Sequence, residues 1–65
     1  MKRVWLATAR LEKDMRQNEL AEAAGIAPVT YCLIETGKTK PKPETAKRIA
    51  SVLGVDWTKF YEEDV

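Results

Sequence analysis

The sequence predicts an all-α domain of five short helices, and three observations carry that prediction. Apolar residues recur at helical spacing, most clearly Ala46, Ile49, Ala50 and Leu53 at i, i+3, i+4 and i+7. Pro28 and Pro43 stand where a first helical turn would tolerate a missing N–H, and Gly25, Gly37 and Gly54 stand where helices would stop. The stretch QNELAEAAGI, followed at once by APVTYCLIETGK, has the spacing of two short helices joined by a tight turn.

Taken in order, helix 1 is expected from Val4 to Lys13, burying Leu6, Ala9 and Trp5. Helix 2 is expected from Gln17 to Ala24. Its Leu20, Ala21 and Ala24 fall at i, i+1 and i+4, so one side is apolar and small in the middle, which lets a second helix approach closely. Gly25 follows, where a left-handed residue closes the carbonyl end without steric cost, and Ile26 turns back into the core. Helix 3 is expected from Pro28 to Thr36, with Tyr31 and Ile34 facing inward and Gly37 as the next stop. Helices 2 and 3 then cross steeply, a helix-turn-helix arrangement. Helix 4 starts at Pro43 and ends before Gly54. Asp56 reads as the N-cap of a last short helix whose Trp57, Phe60 and Tyr61 close the bottom of the core.

At 65 residues the chain is read as one domain over residues 1–61 with an acidic tail at 62–65. A domain this small buries only about 60% of its unfolded surface, so modest stability is expected. Cys32 is the lone cysteine and there is no histidine, which leaves no internal disulfide, no ordinary zinc site and no thiol–imidazole pair. A glycine-rich phosphate loop and a serine nucleophile signature are also missing, so neither catalysis nor a cofactor or metal is expected. No apolar run approaches membrane-spanning length, and the start MKRVWLATARLEKD is too interrupted by charge for a signal peptide. A cytoplasmic location is expected.

From about Leu6 to Tyr61 the chain resembles the Cro/C1-type (XRE-like) helix-turn-helix family. The resemblance rests on Arg10, Gln17 before Glu19, Leu20 and Ala21, then Gly25, Thr30, Ile34 and Glu35, Gly37 and Lys38, Pro41, Ala50, and Leu53, Gly54 and Val55. It implies the compact five-helix lambda-repressor-like fold, double-stranded DNA as partner, and a homodimer at least on DNA. It also implies an ion pair between Arg10 of helix 1 and Glu35 near the end of helix 3, with a structural role. Gln17 matches a position where many members hold a DNA phosphate, at the N-terminus of helix 2 where N–H groups and the helix dipole also favour an anion. Arg16 departs from the usual serine or threonine cap, which should weaken the helix start by about 1 kcal/mol while adding a cation.

The net charge of +1 hides a segregation. Glu62, Glu63 and Asp64 carry three negative charges, and setting them aside leaves +4 over residues 1–61. Lys38, Lys40 and Lys42 alternate through a segment that Gly37, Pro41 and Pro43 keep out of a regular helix. On composition such a loop is a solvated surface; in the family it touches the DNA backbone.

Helix 3 departs most from the family. Pro28, Val29, Thr30, Cys32, Leu33 and Thr36 are the base-facing candidates, and the arc opposite Tyr31 and Ile34 is nearly all apolar. Members commonly present glutamine, asparagine, serine or arginine there, whose paired hydrogen bonds read base edges. Three explanations stand: Val29 and Leu33 read thymine methyl groups, the face binds another protein, or it is covered by self-association. Cys32 reads as a small apolar residue, since a redox switch would need a lowered thiol pKa and solvent access. The expected function is a sequence-specific DNA-binding transcriptional regulator, a repressor of bacterial or phage origin that inserts helix 3 into the major groove of a two-fold operator. The alternative is an adaptor or antirepressor that grips a protein through helix 3. Self-association is expected at the helix 4 to helix 5 end, where Trp57 or Tyr61 would be partly exposed, or only on DNA.

Overall fold

The computed structural model describes residues 2–62, in which five helices follow one another: α1 (Val4–Glu12), α2 (Gln17–Ala24), α3 (Pro28–Glu35), α4 (Pro43–Leu53) and α5 (Lys59–Glu62). None of them is long and apolar enough to cross a membrane. Helices α2, α3 and α4 stop in the same way. A glycine at positive φ follows each, and the next N–H reaches back five residues: Ile26 to the Ala21 carbonyl, Lys38 to Leu33 and Val55 to Ala50. This closure sets the end of α3 at Glu35, one residue short of the expected Thr36.

Helix α1 also ends one residue early. Asp14 adopts a left-handed backbone at φ 57°, which aspartate tolerates, and its N–H turns back to the Leu11 carbonyl at 2.9 Å. The expected start of the last helix needs a larger correction. The Asp56 carboxylate accepts the Thr58 N–H at 3.0 Å and the Thr58 hydroxyl at 2.8 Å, so it caps a turn at residues 57–58, and α5 begins only at Lys59. Glu62, read as the first residue of the tail, is the last residue of α5; Glu63 to Val65 lie outside the described residues.

The core is built from Leu6, Leu20, Ala21, Ala24, Tyr31, Ile34, Ala46, Ile49, Leu53 and Phe60. Helix α2 lies at its centre, packed on both α3 and α4, while α1 rests on α3. Ala21 and Ala24 are the contact residues that make this close packing possible. Trp5 and Ala9 are half-buried rather than enclosed, and Trp5 meets Phe60 edge to face at 4.9 Å.

One charged residue belongs to this core. Glu35, 2% exposed, accepts from the Arg10 Nε at 2.8 Å and the Tyr31 hydroxyl at 2.7 Å on one carboxylate oxygen. Its other oxygen accepts from the Gln17 side-chain amide at 2.6 Å and from the second Arg10 nitrogen at 3.4 Å. Arg10 also donates to the Met15 carbonyl at 2.8 Å, so a single guanidinium holds α1, the α1–α2 connection and α3 together. Burial alone would push the Glu35 carboxyl up, but the hydrogen bonds from Arg10, Tyr31 and Gln17 outweigh it and hold the carboxyl below its ordinary value. Burial, followed by the hydrogen bond to Glu35, pushes the Tyr31 phenol well above its ordinary range.

Two outcomes follow for stability. Glu35→Gln leaves the enclosed Arg10 without its counter-ion, which should cost about 3 kcal/mol and lower Tm by roughly 10 °C or more in a domain of this size. Thermal unfolding followed by circular dichroism measures it, and a change within error would mean that the pair does not hold the helices together. The same group sets an acid limit. The depressed Glu35 contributes stability above the unfolded carboxylate pKa of about 4.3 and loses it as pH falls through the folded value. Tyr31, raised on folding, contributes fully below about pH 10 and loses its share as pH rises through the folded value. Tm should therefore be level between about pH 5 and 9 and fall on both sides. The acid fall should be shallower in Glu35→Gln; parallel acid limbs would assign the transition to other carboxylates.

Candidate nucleic-acid interface

Helix α3 presents two faces of opposite use. Tyr31, Ile34 and Glu35 are buried against α1 and α2, and with about 100° per residue the centre of the opposite face falls on Val29, Leu33 and Thr36. Val29 is 67% exposed and Leu33 38%. Pro28 and Thr30 are exposed toward the margins, whereas Cys32 is half-buried rather than open on the arc, because its direction lies nearer the Glu35 side of the helix. Thr36 is half-buried too, and its hydroxyl donates back to the Cys32 carbonyl at 2.9 Å, with the Leu33 carbonyl at 3.2 Å. That proton is engaged within the helix. The centre of the outer face consequently offers methyl groups and no hydrogen-bond donor from Val29, Leu33 or Thr36.

Polar and cationic groups lie in the segments on either side of the two helices in the chain. At the start of α2, Arg16 is exposed, and its N–H donates to the Glu19 carboxylate at 2.8 Å. Glu19 thus supplies half of a capping box and offsets part of the weakness expected from an arginine at the cap. Gln17 is half-buried, and one of its two amide donors is held by Glu35. The side chain expected at a phosphate is therefore also part of the internal network, and the first-turn N–H groups of α2 remain the part of this end aimed outward by geometry.

The loop between α3 and α4 is pinned at alternate residues. The Arg3 guanidinium donates to the Thr39 carbonyl at 2.9 Å, and the Tyr61 hydroxyl donates to the carbonyl of buried Pro41 at 2.7 Å. Between and around these anchors Lys38, Lys40 and Lys42 are exposed. They are not equivalent: the Lys40 ammonium lies over the Tyr61 ring at 5.4 Å, directed toward α5. Arg3 does more than hold the loop. It is 7% exposed, its guanidinium also donates to the Ile34 carbonyl, and its N–H donates to the Glu35 carbonyl at 2.8 Å, so it caps the C-terminal end of α3 as a cation. Sequence reasoning assigned Arg3 no role. A basic residue suits some helix C-terminus, but nothing in its neighbours says that the helix in question begins 25 residues later.

Comparison with known proteins agrees with this architecture. A helix-turn-helix family model matches residues 6–60. The chain is 46% identical over 63 residues to a Bacillus subtilis (strain 168) protein named uncharacterized HTH-type transcriptional regulator YqaF, a match covering 97% of this chain and 83% of that one. It is 39% identical over 46 residues to the cryptic phage CTXphi transcriptional repressor RstR of Vibrio cholerae, covering 71% of this chain and 41% of that one. No solved structure gives a significant match. With the matched region running from the first core leucine to the last core phenylalanine, and with the helix order and the packing of α2 on α3 described above, this chain belongs to the Cro/C1-type helix-turn-helix family.

Proposed function

We propose that the chain is a sequence-specific transcriptional regulator that lays α3 in the major groove of double-stranded DNA and represses by occupying a promoter. The observation that carries this reading is the exposed pair Val29 and Leu33 at the centre of the outer face of α3, together with exposed cations in the segments that precede α2 and follow α3. A major groove about 12 Å wide admits one helix, whose centre then meets base edges while its borders meet phosphates. In this reading Val29, Leu33 and Thr36 face the bases, with Pro28, Thr30 and Cys32 at the edges. Arg16, the α2 N-terminus with Gln17, Lys38 and Lys42 face the backbone, and Lys40 contributes less because it lies over Tyr61.

We infer a homodimer on DNA. Half-sites about 34 Å apart suit two copies side by side, since one copy measures 29 × 21 × 20 Å. The α4–α5 end, expected to meet its twin, carries half-buried rings covered by lysines: Lys47 over Trp57 at 4.9 Å, Lys40 over Tyr61 and Lys59 over Trp5 at 5.1 Å. The exposed Lys40, Lys47 and Lys59 share this end with the exposed carboxylates of Asp56 and Glu62, so ring contacts and opposite charges are both available to a second copy there. A DNA target implies, within this reading, a cytoplasmic location.

Selection of bound duplexes from a random pool tests the reading, with enrichment of a two-fold sequence expected and recovery of unselected sequence counting against it. The electrostatic part has its own measurement. Lys38→Ala and Lys42→Ala should each weaken all duplexes alike and reduce the slope of log affinity against log salt by about one unit, with a smaller change for Lys40→Ala. Unchanged slopes in all three would remove the loop from the interface.

A further inference from the structure

We propose that the centre of α3 reads the C5-methyl group of a pyrimidine and no other feature of that base, so that 5-methylcytosine satisfies it as thymine does. The inference rests on the reading of α3 as the groove-facing helix. Thymine presents two features in the major groove, the O4 acceptor and the C5-methyl, and cytosine presents the N4 amino donor. Recognition of O4 needs a donor. Val29 and Leu33 have none, and the Thr36 hydroxyl proton is already held by the Cys32 and Leu33 carbonyls. Thr30 and Cys32 lie at the two margins, roughly 80° from the centre of the arc. The Thr36 oxygen keeps acceptor capacity but the residue is half-buried, so the two exposed side chains at the centre, Val29 and Leu33, distinguish only the presence or absence of an apolar group. Arg16 just before α2 and Lys38 and Lys42 just after α3 are exposed cations bracketing the two helices in the chain, which suits a polyanion rather than an apolar protein surface as the occupant of this face.

A regulatory property follows. A cytosine at a contacted position binds poorly, and methylation of its C5 carbon restores the contact. Occupancy of an operator with such positions therefore rises with cytosine C5 methylation. A family member with glutamine or arginine at this place would bond base heteroatoms and respond to the base itself; this chain responds to the methyl.

The test uses the duplex recovered by selection, synthesised with thymine, uracil, cytosine or 5-methylcytosine at each contacted pyrimidine and its matched purine opposite. Thymine and uracil differ by the methyl alone, as do 5-methylcytosine and cytosine. Each methyl should raise affinity about four-fold, the equivalent of burying one methyl-sized group, and by the same factor in both pairs. Leu33→Ala or Val29→Ala should abolish the factor for the methyl it touches in both pairs together, with the helical circular dichroism spectrum unchanged because both residues are exposed. A methyl effect in thymine against uracil with none in 5-methylcytosine against cytosine would overturn the proposal, since O4 would then be part of the contact, while leaving α3 in the groove. No methyl effect in either pair, or a selected site without pyrimidine methyls, would overturn the methyl reading of the helix itself.

Discussion

The buried carboxylate of Glu35 is the constraint on which the rest of the structure depends. Its two oxygens accept four donors from three helices, and no buried side-chain nitrogen or oxygen among the described residues lacks a partner. An isolated carboxylate at that depth would be prohibitively costly; one whose lone pairs are filled and whose charge meets a guanidinium is tolerable. The benefit is directional. A hydrophobic contact between α1 and α3 would allow sliding, whereas Arg10 bonds Glu35 and the Met15 carbonyl at once, which fixes both the angle of α3 and the start of α2. Gln17 extends the same network to the first residue of α2, so the two helices of the motif share one anchor. In a small domain with a core of about ten residues, this polar tie sets the geometry that apolar packing leaves loose.

From that anchor the arrangement of the outer surface can be traced. With α3 fixed at Glu35, its last carbonyls lie where Arg3 reaches them, and the same guanidinium continues to Thr39. The loop is then held a second time at Pro41 by Tyr61. Odd-numbered residues are tied inward, and the even-numbered lysines stand outward. Helix α5 thus serves the lysine loop as well as the core: Phe60 fills the bottom of the domain, and Tyr61 one residue later holds the loop at Pro41 and carries Lys40. Cations lie within about 6 Å of four aromatic rings in this chain, against an ordinary frequency of roughly one per 70–80 residues, so lysine stems cover much of the aromatic surface at this end.

Much of this was legible in the sequence, and what was missed has a common cause. Helix existence and order follow from local chemistry: prolines at first turns, glycines at positive φ after α2, α3 and α4, and the i, i+3, i+4 and i+7 stripe of α4. The start of α5 was misjudged because Asp56 can cap either a helix or a single turn, and only the hydrogen bonds to Thr58 decide. The outer arc of α3 follows from periodicity alone, apart from Cys32 at its margin. Partners far apart in the chain are another matter. Arg3 reaches carbonyls 31 and 36 residues away, and Gln17 reaches a carboxylate 18 residues away. Neither leaves a mark in the neighbouring residues, because a side chain's long-range partner is set by packing and not by its own segment. Arg10 and Glu35 were paired in advance only through resemblance to a family.

An apolar recognition face also limits what one copy can achieve. A methyl contact discriminates by about four-fold and a bidentate hydrogen-bonded pair by 1–3 kcal/mol, so two or three methyls per half-site yield only a modest preference. Specific regulators bind their sites about 10³-fold or more above non-specific DNA. Doubling the half-sites squares the preference, and the remainder has to come from the shape and stiffness of the duplex, which runs of thymine and adenine supply through their narrow minor groove. A run of thymines opposite adenines is both methyl-rich and stiff, whereas alternating TA steps are methyl-rich and flexible. In the proposed reading, a helix that counts methyl groups and a body that grips phosphates at fixed points, through a pinned loop and an anchored α2, would read two properties of one kind of site. The rigidity that Glu35 and Arg3 impose matters for this reason: phosphate contacts report the shape of the duplex only if the groups that make them cannot adjust to every sequence.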